Sequence, residues 1–353
     1  LLWVDPQVVS GALALTSIDP TTGGEAGGTA VTLTGKNFDT GTAATVDFGA
    51  TAATNVVVVS ATEITCDSPA GTGTVDVTVT QGSESDTLAG AFEYAAWNPA
   101  FITTELWVKA DDSATLTLDG SGNVEQWDDN SGNGFNGTNS TAAGRPAFSS
   151  ASTSVDFNGS NEELFFNGAS GVTQSTNKTL HQFIVANIAP NSSSFKRVFN
   201  WSKGDNTGFR ATLSTDSNQM KNVQRRLDSD SAAILGVPYS ARSIAIWEAR
   251  HDWANAEHGV RRDGGTETSA STGHATGTTS NTASTEVAMG GASDVTGQNQ
   301  EMKVQEYVAV FDISSADREK VEGYLAHKWD DINGNTILVD ALPSGHPYKS
   351  SPP

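Results

Sequence analysis

Cysteine is all but absent from this chain of 353 residues: Cys66 stands alone, so no intrachain disulfide forms and no thiolate metal site can be assembled. Stability must come from packing. Basic residues are also scarce, with 20 Lys and Arg against 41 Asp and Glu and a net charge of −21. Residues 1–95 carry eleven acids and the single cation Lys36, so the deficit is shared by both halves. An acidic surface repels phosphate backbones and anionic lipid, which excludes nucleic acid as a partner. No apolar run approaches the roughly 20 residues of a membrane-spanning helix, so no membrane insertion is expected.

What is present is apolar alternation. Hydrophobic residues make up 37% of the chain, including eight Trp and fourteen Phe, enough to build cores that a disordered chain lacks. Gly, Ser, Thr and Asn fill the intervals between short runs, the usage of strands joined by polar turns. The expected class is all-β, and the length suits two domains. Residues 1–16 read as a leader or anchoring segment, 17–95 as a first domain, 96–101 as a linker and 102–353 as a second domain. Trp97 in the linker is expected to pack at the junction.

In the first domain, Thr29-Ala30-Val31-Thr32-Leu33-Thr34-Gly35, Thr45-Val46-Asp47-Phe48-Gly49 and Thr74-Val75-Asp76-Val77-Thr78-Val79 alternate at strand period. Cys66, in Glu63-Ile64-Thr65-Cys66, reads as a buried small hydrophobe. Three features come in a definite order: Ser17-Ile18-Asp19-Pro20 with Gly23-Gly24, then Gly35-Lys36-Asn37-Phe38, then a closing Phe92-Glu93-Tyr94. Together they resemble the IPT/TIG branch of the immunoglobulin-like fold over residues 17–95. The resemblance implies a spacer, stalk or protein-contact module.

The second domain is richest at Val124-Glu125-Gln126-Trp127-Asp128-Asp129-Asn130-Ser131-Gly132-Asn133-Gly134, followed by Gly137. A strand that buries Trp127 runs into a tight turn, where Gly132 and Gly134 permit positive φ. Two readings stand for its oxygen-rich side chains. Asp128, Asp129, Asn130 and Asn133 either surround calcium or hydrogen-bond the turn. No cofactor is required on the second reading.

The corner resembles the "W-x-D-x-S-G-N-G-x-x-G" segment of concanavalin A-like, laminin-G-like jelly rolls. Arg145-Pro146-Ala147-Phe148, Val155-Asp156-Phe157-Asn158-Gly159 and Leu180-His181-Gln182-Phe183-Ile184-Val185 support that likeness. The whole fold is therefore expected to be an immunoglobulin-like β-sandwich followed by a concanavalin A-like jelly roll with one helix near the C-terminus. That helix is placed at Ser314–Trp329, with a capping start at Ser314 and Asp317 and an apolar stripe of Val321, Tyr324, Leu325 and Trp329. Its Val321-Glu322-Gly323-Tyr324-Leu325-Ala326 and the later Leu342-Pro343-Ser344-Gly345-His346-Pro347-Tyr348 resemble the tail of laminin-G-like domains in phage and marine bacterial surface proteins.

The enzymes of that scaffold carry E-x-D-x-x-E on one strand, and this chain has no such sequence. Glu84 and Asp86 share the first spacing, but Ala89 takes the third place and all three lie in the first domain. The polar run Glu248-Ala249-Arg250-His251-Asp252-Trp253 reads as a strand leading into a hairpin. Trp253, His251 and Arg250 are its candidate sugar platform, an aromatic face with planar donors. The run from Thr266 to Ser284 reads as a long mobile loop. These features imply a non-enzymatic bacteriophage surface protein, a capsid decoration or fibre component. Its expected partners are virion capsid or tail proteins and surface glycans, with an oligomeric state on the particle. A secreted bacterial carbohydrate-binding adhesin is the alternative, and a glycoside hydrolase ranks last.

Overall fold

The computed structural model describes residues 11–166, 168, 179–192, 194–202, 210–227, 229–239, 243–274, 276, 286–292, 297–330 and 338–353. The chain divides into two units between Phe101 and Ile102, and both are built almost wholly of strands.

Among the described residues, nine strands make the first unit: β1 (Ala14–Asp19), β2 (Thr22–Gly24), β3 (Ala30–Lys36), β4 (Ala44–Phe48), β5 (Thr51–Ala52), β6 (Thr54–Ser60), β7 (Glu63–Asp67), β8 (Gly73–Gln81) and β9 (Glu84–Ala95). They form two sheets, ordered β1-β3-β7-β6 and β2-β9-β8-β4-β5. In β3 and β7 the pairs Val31↔Cys66 and Leu33↔Ile64 face inward while the threonines between them face out. Phe48, Phe92 and Tyr94 fill the opposite side of the core in edge-on contacts. Cys66 belongs to this core, and burial pushes its thiol up to about 12.

The Gly35-Lys36-Asn37-Phe38 corner has a steric cause. A Cβ at Gly35 would lie 2.3 Å from the Phe38 ring and 2.4 Å from the Ala14 carbonyl oxygen, so the strand closes on the ring only without a side chain. Asn37 then takes φ 61° and donates to the Ala12 carbonyl at 2.9 Å. β1 therefore begins at Ala14, inside the segment expected as a leader; residues 1–10 of that segment lie outside the described residues. Glu84 and Asp86 have a structural role here. Their carboxylates accept the Leu13 and Leu15 N–H groups, each at 2.8 Å, and tie the first strand to β9.

The second unit is a sandwich of two antiparallel sheets. One follows the order Ala147–Ser149, Ser154–Asn158, Glu301–Phe311, Thr179–Ile188, Ile244–Asp252, Glu257–Arg262 and Thr268–Ser271, with Leu106–Lys109 also paired to Glu301–Phe311. The other runs from Leu116–Leu118 through Val124–Trp127, Glu286–Met289 and Lys196–Ser202 to Ala233–Pro238. Between them lie Trp127, Trp201, Trp247, Trp253, Phe199 and Tyr307. The Thr179–Ile188 strand sends Leu180, Ile184, Ala186 and Ile188 into this core, which by strand alternation puts His181 on the outer face.

Helix α1 (Ser315–Trp329) follows the expected span, and the Ser314 hydroxyl oxygen caps it by accepting the Asp317 N–H at 3.0 Å. It lies over the outer face of the first of these sheets. Buried Glu306, on the central strand, accepts both the Trp329 and the Trp107 indole N–H at 2.6 Å and Lys328 Nζ at 2.7 Å. The C-terminal tail completes the layer. Gly323 leaves room for Tyr348, whose Cβ would come within 2.5 Å of an added methyl, and His327 donates to the Tyr348 carbonyl. Helix and tail motifs thus form one packed piece.

Candidate binding cleft

A cleft of about 390 Å³ opens on the same outer face, beside the start of α1. Thr179 and His181 line it from one strand, Arg250 and Asp252 from the next, Arg261 from the third and Arg318 from the helix, with Glu267, Asp312 and Ser315 at its rim. Its walls are held by ion pairs. Glu267 bridges two guanidiniums, taking Arg250 Nη2 at 2.7 Å on one oxygen and Arg261 Nη2 at 3.2 Å on the other. Arg250 also pairs with Asp252 at 3.1 Å. Beneath them, buried Glu322 accepts Arg318 Nη1 at 2.6 Å and Arg261 Nη1 at 3.3 Å, and His346 closes the set at 3.2 Å.

Burial raises the Glu322 carboxyl above its ordinary range, opposed by its His346 bond. Arg250 goes the other way from a buried cation. Burial would lower it, but the Glu267 hydrogen bond and charge, with Asp252 and Glu257, hold it above its usual value. His181 donates through Nδ1 to buried Glu248 at 2.6 Å and lines the cleft, and among the described residues its Nε2 has no hydrogen-bond partner. In that tautomer Nε2 accepts a hydrogen bond from a ligand.

The expected sugar platform is corrected by this geometry. Trp253 is 1% exposed and His251 fully buried, and the two stack inside the sandwich core. Arg250 lies on the opposite face of the strand and enters the cleft, because successive side chains alternate. Trp253 and His251 therefore present no face to a pyranose ring. The hairpin itself is present, as Ile244–Asp252 paired with Glu257–Arg262. Part of the expected Thr266–Ser284 loop is ordered, since Thr268–Ser271 pairs with the Glu257–Arg262 strand and brings Glu267 to the cleft. Residues 275 and 277–284 of that run lie outside the described residues.

The Trp127 corner has its side chains committed to the protein. Asp129 accepts the N–H groups of Trp107 at 3.0 Å, Ser131 at 2.9 Å and Phe135 at 3.0 Å, and the Ser131 hydroxyl at 2.7 Å. Asn130 donates to the Trp107 and Asp128 carbonyls, and Asn133 to those of Thr104 and Glu105. Asp128 takes the Gln126 amide at 2.6 Å. Donors surround the Asp129 oxygens where a cation would need free lone pairs, and among the described residues no group of three His, Cys, Asp or Glu is placed to hold a metal. Asp128, Asp129, Asn130 and Asn133 thus do not fit a calcium site.

Behind the cleft, His251 and His258 face each other across the hairpin. Burial holds His251 well below its ordinary range, and burial with nearby His274 brings His258 down to about 4. Both rings are neutral in the folded chain and protonate near pH 6.5 once unfolded. The unfolded state thus binds more protons below that pH, and stability falls as pH drops from about 6.5 towards 4. The His258 share by pH 4.5 is about 2–3 kcal/mol. Urea unfolding at pH 7 and 4.5 should show His258→Gln losing that much less than the parent. Raised carboxyls such as Asp263 and Glu322 oppose the trend equally in both proteins. Equal losses would show that His258 is not the source.

Fold and site define a two-unit β protein whose second sandwich carries a polar cleft on an outer sheet face. Residues 13–94 match the family model of the IPT/TIG domain. No curated protein matches the chain. Among solved structures, the chain is similar to the botulinum neurotoxin serotype D binding domain, at 9% identity over 64% of this chain and 51% of that one, with a TM-score of 0.45. It is also similar to the binding domain of Paraclostridial Mosquitocidal Protein 1, at 11% identity over 63% and 53%, with a TM-score of 0.44. A third is the Ruminococcus gnavus IT-sialidase CBM40 bound to α2,3-sialyllactose, at 11% identity over 42% and 90%, with a TM-score of 0.34. The chain spans about half the length of the two toxin binding domains.

Proposed function

We propose that the protein is a non-enzymatic surface protein of a bacteriophage particle, a capsid decoration or fibre component, that adheres to glycans through the cleft of its second unit. The observation that carries the glycan reading is the cleft itself. It is sugar-sized, and fixed guanidiniums, carboxylates, hydroxyls and the His181 imidazole line it. Planar donors and acceptors held in place by second partners suit vicinal hydroxyls. The adhesive rather than hydrolytic reading draws support from the acids, since Asp252 and Glu267 are engaged by Arg250, and hydrolysis needs two carboxyls converging on one bond. The particle surface rests on the helix-and-tail resemblance, and the immunoglobulin-like unit then serves as mount against capsid or tail proteins.

A glycan array probed with the chain, with Arg250→Ala and with Ser315→Tyr tests the site. Ser315 is exposed at the rim, so tyrosine fills the mouth without entering the core. Binding should fall by more than about ten-fold in both variants, a loss of 1.4 kcal/mol or more. Unchanged binding would remove the cleft from the reading, and no binding by the parent would remove glycan adhesion. Antibody against the chain should label phage particles; labelling confined to bacterial envelopes would favour the secreted adhesin.

A further inference from the structure

We infer that the cleft selects uncharged sugars and rejects acidic ones, an inference that rests on the glycan reading above. Three guanidiniums and a helix start at one opening suggest an anion site at first sight. The pairing of those guanidiniums argues the reverse. Arg250 is taken by Glu267, Asp252 and Glu257, Arg261 by Glu248, Glu267 and Glu322, and Arg318 by Glu322 and Glu319. Asp312 adds a further carboxylate at the rim. Asp252, Glu267 and Asp312 line the opening beside the three guanidiniums, and Glu248, Glu257, Glu319 and Glu322 pair with those guanidiniums from outside the lining, so a sialate, uronate or sulfate would meet guanidiniums already matched by acids and the carboxylates beside them.

Paired charges still bind hydroxyls well. Each guanidinium keeps N–H donors beyond those used by its acids, each carboxylate keeps lone pairs, and a sugar hydroxyl donates and accepts at once. His181 supplies the second, independent sign of a ligand. The residue is 7% exposed, Glu248 fixes its ring through Nδ1, and among the described residues Nε2 has no hydrogen-bond partner. With the Nδ1 hydrogen given to Glu248, Nε2 is placed to accept a sugar hydroxyl hydrogen.

Matched pairs provide the test: galactose with galacturonate and glucose with glucuronate, which differ in one acidic group, and lactose with 3′-sialyllactose, which adds an acidic sugar. These are titrated into the full chain in 20 mM and 500 mM NaCl. The neutral member should bind at least about ten-fold more tightly at low salt, and the gap should narrow at high salt as repulsion is screened. Glu267→Gln should narrow it as well, and Arg262→Gln, a cation that does not line the cleft, should leave it unchanged. Equal or tighter binding of the acidic members would overturn the selectivity while leaving glycan adhesion standing. No binding of either member would overturn both.

Discussion

Asp129→Ala is expected to destabilise the second unit by about 3–5 kcal/mol, although Asp129 lies in a surface turn. Its carboxylate accepts four hydrogen bonds, three of them from backbone N–H groups at Trp107, Ser131 and Phe135. Hydrogen bonds to a charged acceptor contribute about 1.5–3 kcal/mol each when measured singly, and the four share one anchor, so their losses overlap. Removing the anchor frees the edge strand at Trp107 and the turn after Trp127 together. Six of the eight tryptophans, from Trp107 to Trp329, lie in the second unit, so urea unfolding followed by tryptophan fluorescence reports mainly on it. EDTA should leave the parent's midpoint unmoved. A midpoint that drops with EDTA and returns with calcium would replace the hydrogen-bonded corner with a cation site.

Glu306→Leu should cost about 3–5 kcal/mol for a different reason. Glu306 is fully buried and joins two indole N–H groups and the Lys328 ammonium. Removing one partner of a buried charge network strands the others, which is more expensive than never having had the pair. Lys328 retains Asp111 at 3.1 Å, but the Trp107 and Trp329 N–H groups lose their acceptor. The loss should appear in urea unfolding together with a reduced near-ultraviolet circular dichroism signal from these indoles. A cost below about 1 kcal/mol would mean that apolar packing alone seats the helix.

The legible parts of this protein are those whose cause is local. Gly35-Lys36-Asn37-Phe38 is readable because the ring of Phe38 closes on a glycine three residues away. The Trp127 corner is readable because its glycines, Gly132 at φ 90° and Gly134 at φ 74°, and its carboxylate anchor fall within nine residues. The helix shows in the spacing of Val321, Leu325 and Trp329 and in the Ser314 cap. One error was also local. Alternation through Trp247, Ala249, His251 and Trp253 already assigns these residues to a single apolar face and Arg250 to the other. Reading the cluster by composition instead of by face joined side chains that the strand separates.

The cleft has no comparable signal. His181, Arg250, Arg261, Glu267 and Arg318 span more than a hundred residues, and each looks like an ordinary surface side chain where it stands. Sequence by itself determined the class of each unit, the strand faces, the turn chemistry and the capped helix, because steric and hydrogen-bond preferences over a few residues decide those. Tertiary structure alone decided which outer face the helix covers, which carboxylate meets which guanidinium, and that the His181 ring lines the cleft. Those outcomes follow from strand order and helix docking, where residues far apart in the chain are brought within about 3 Å and their charges acquire meaning only in pairs.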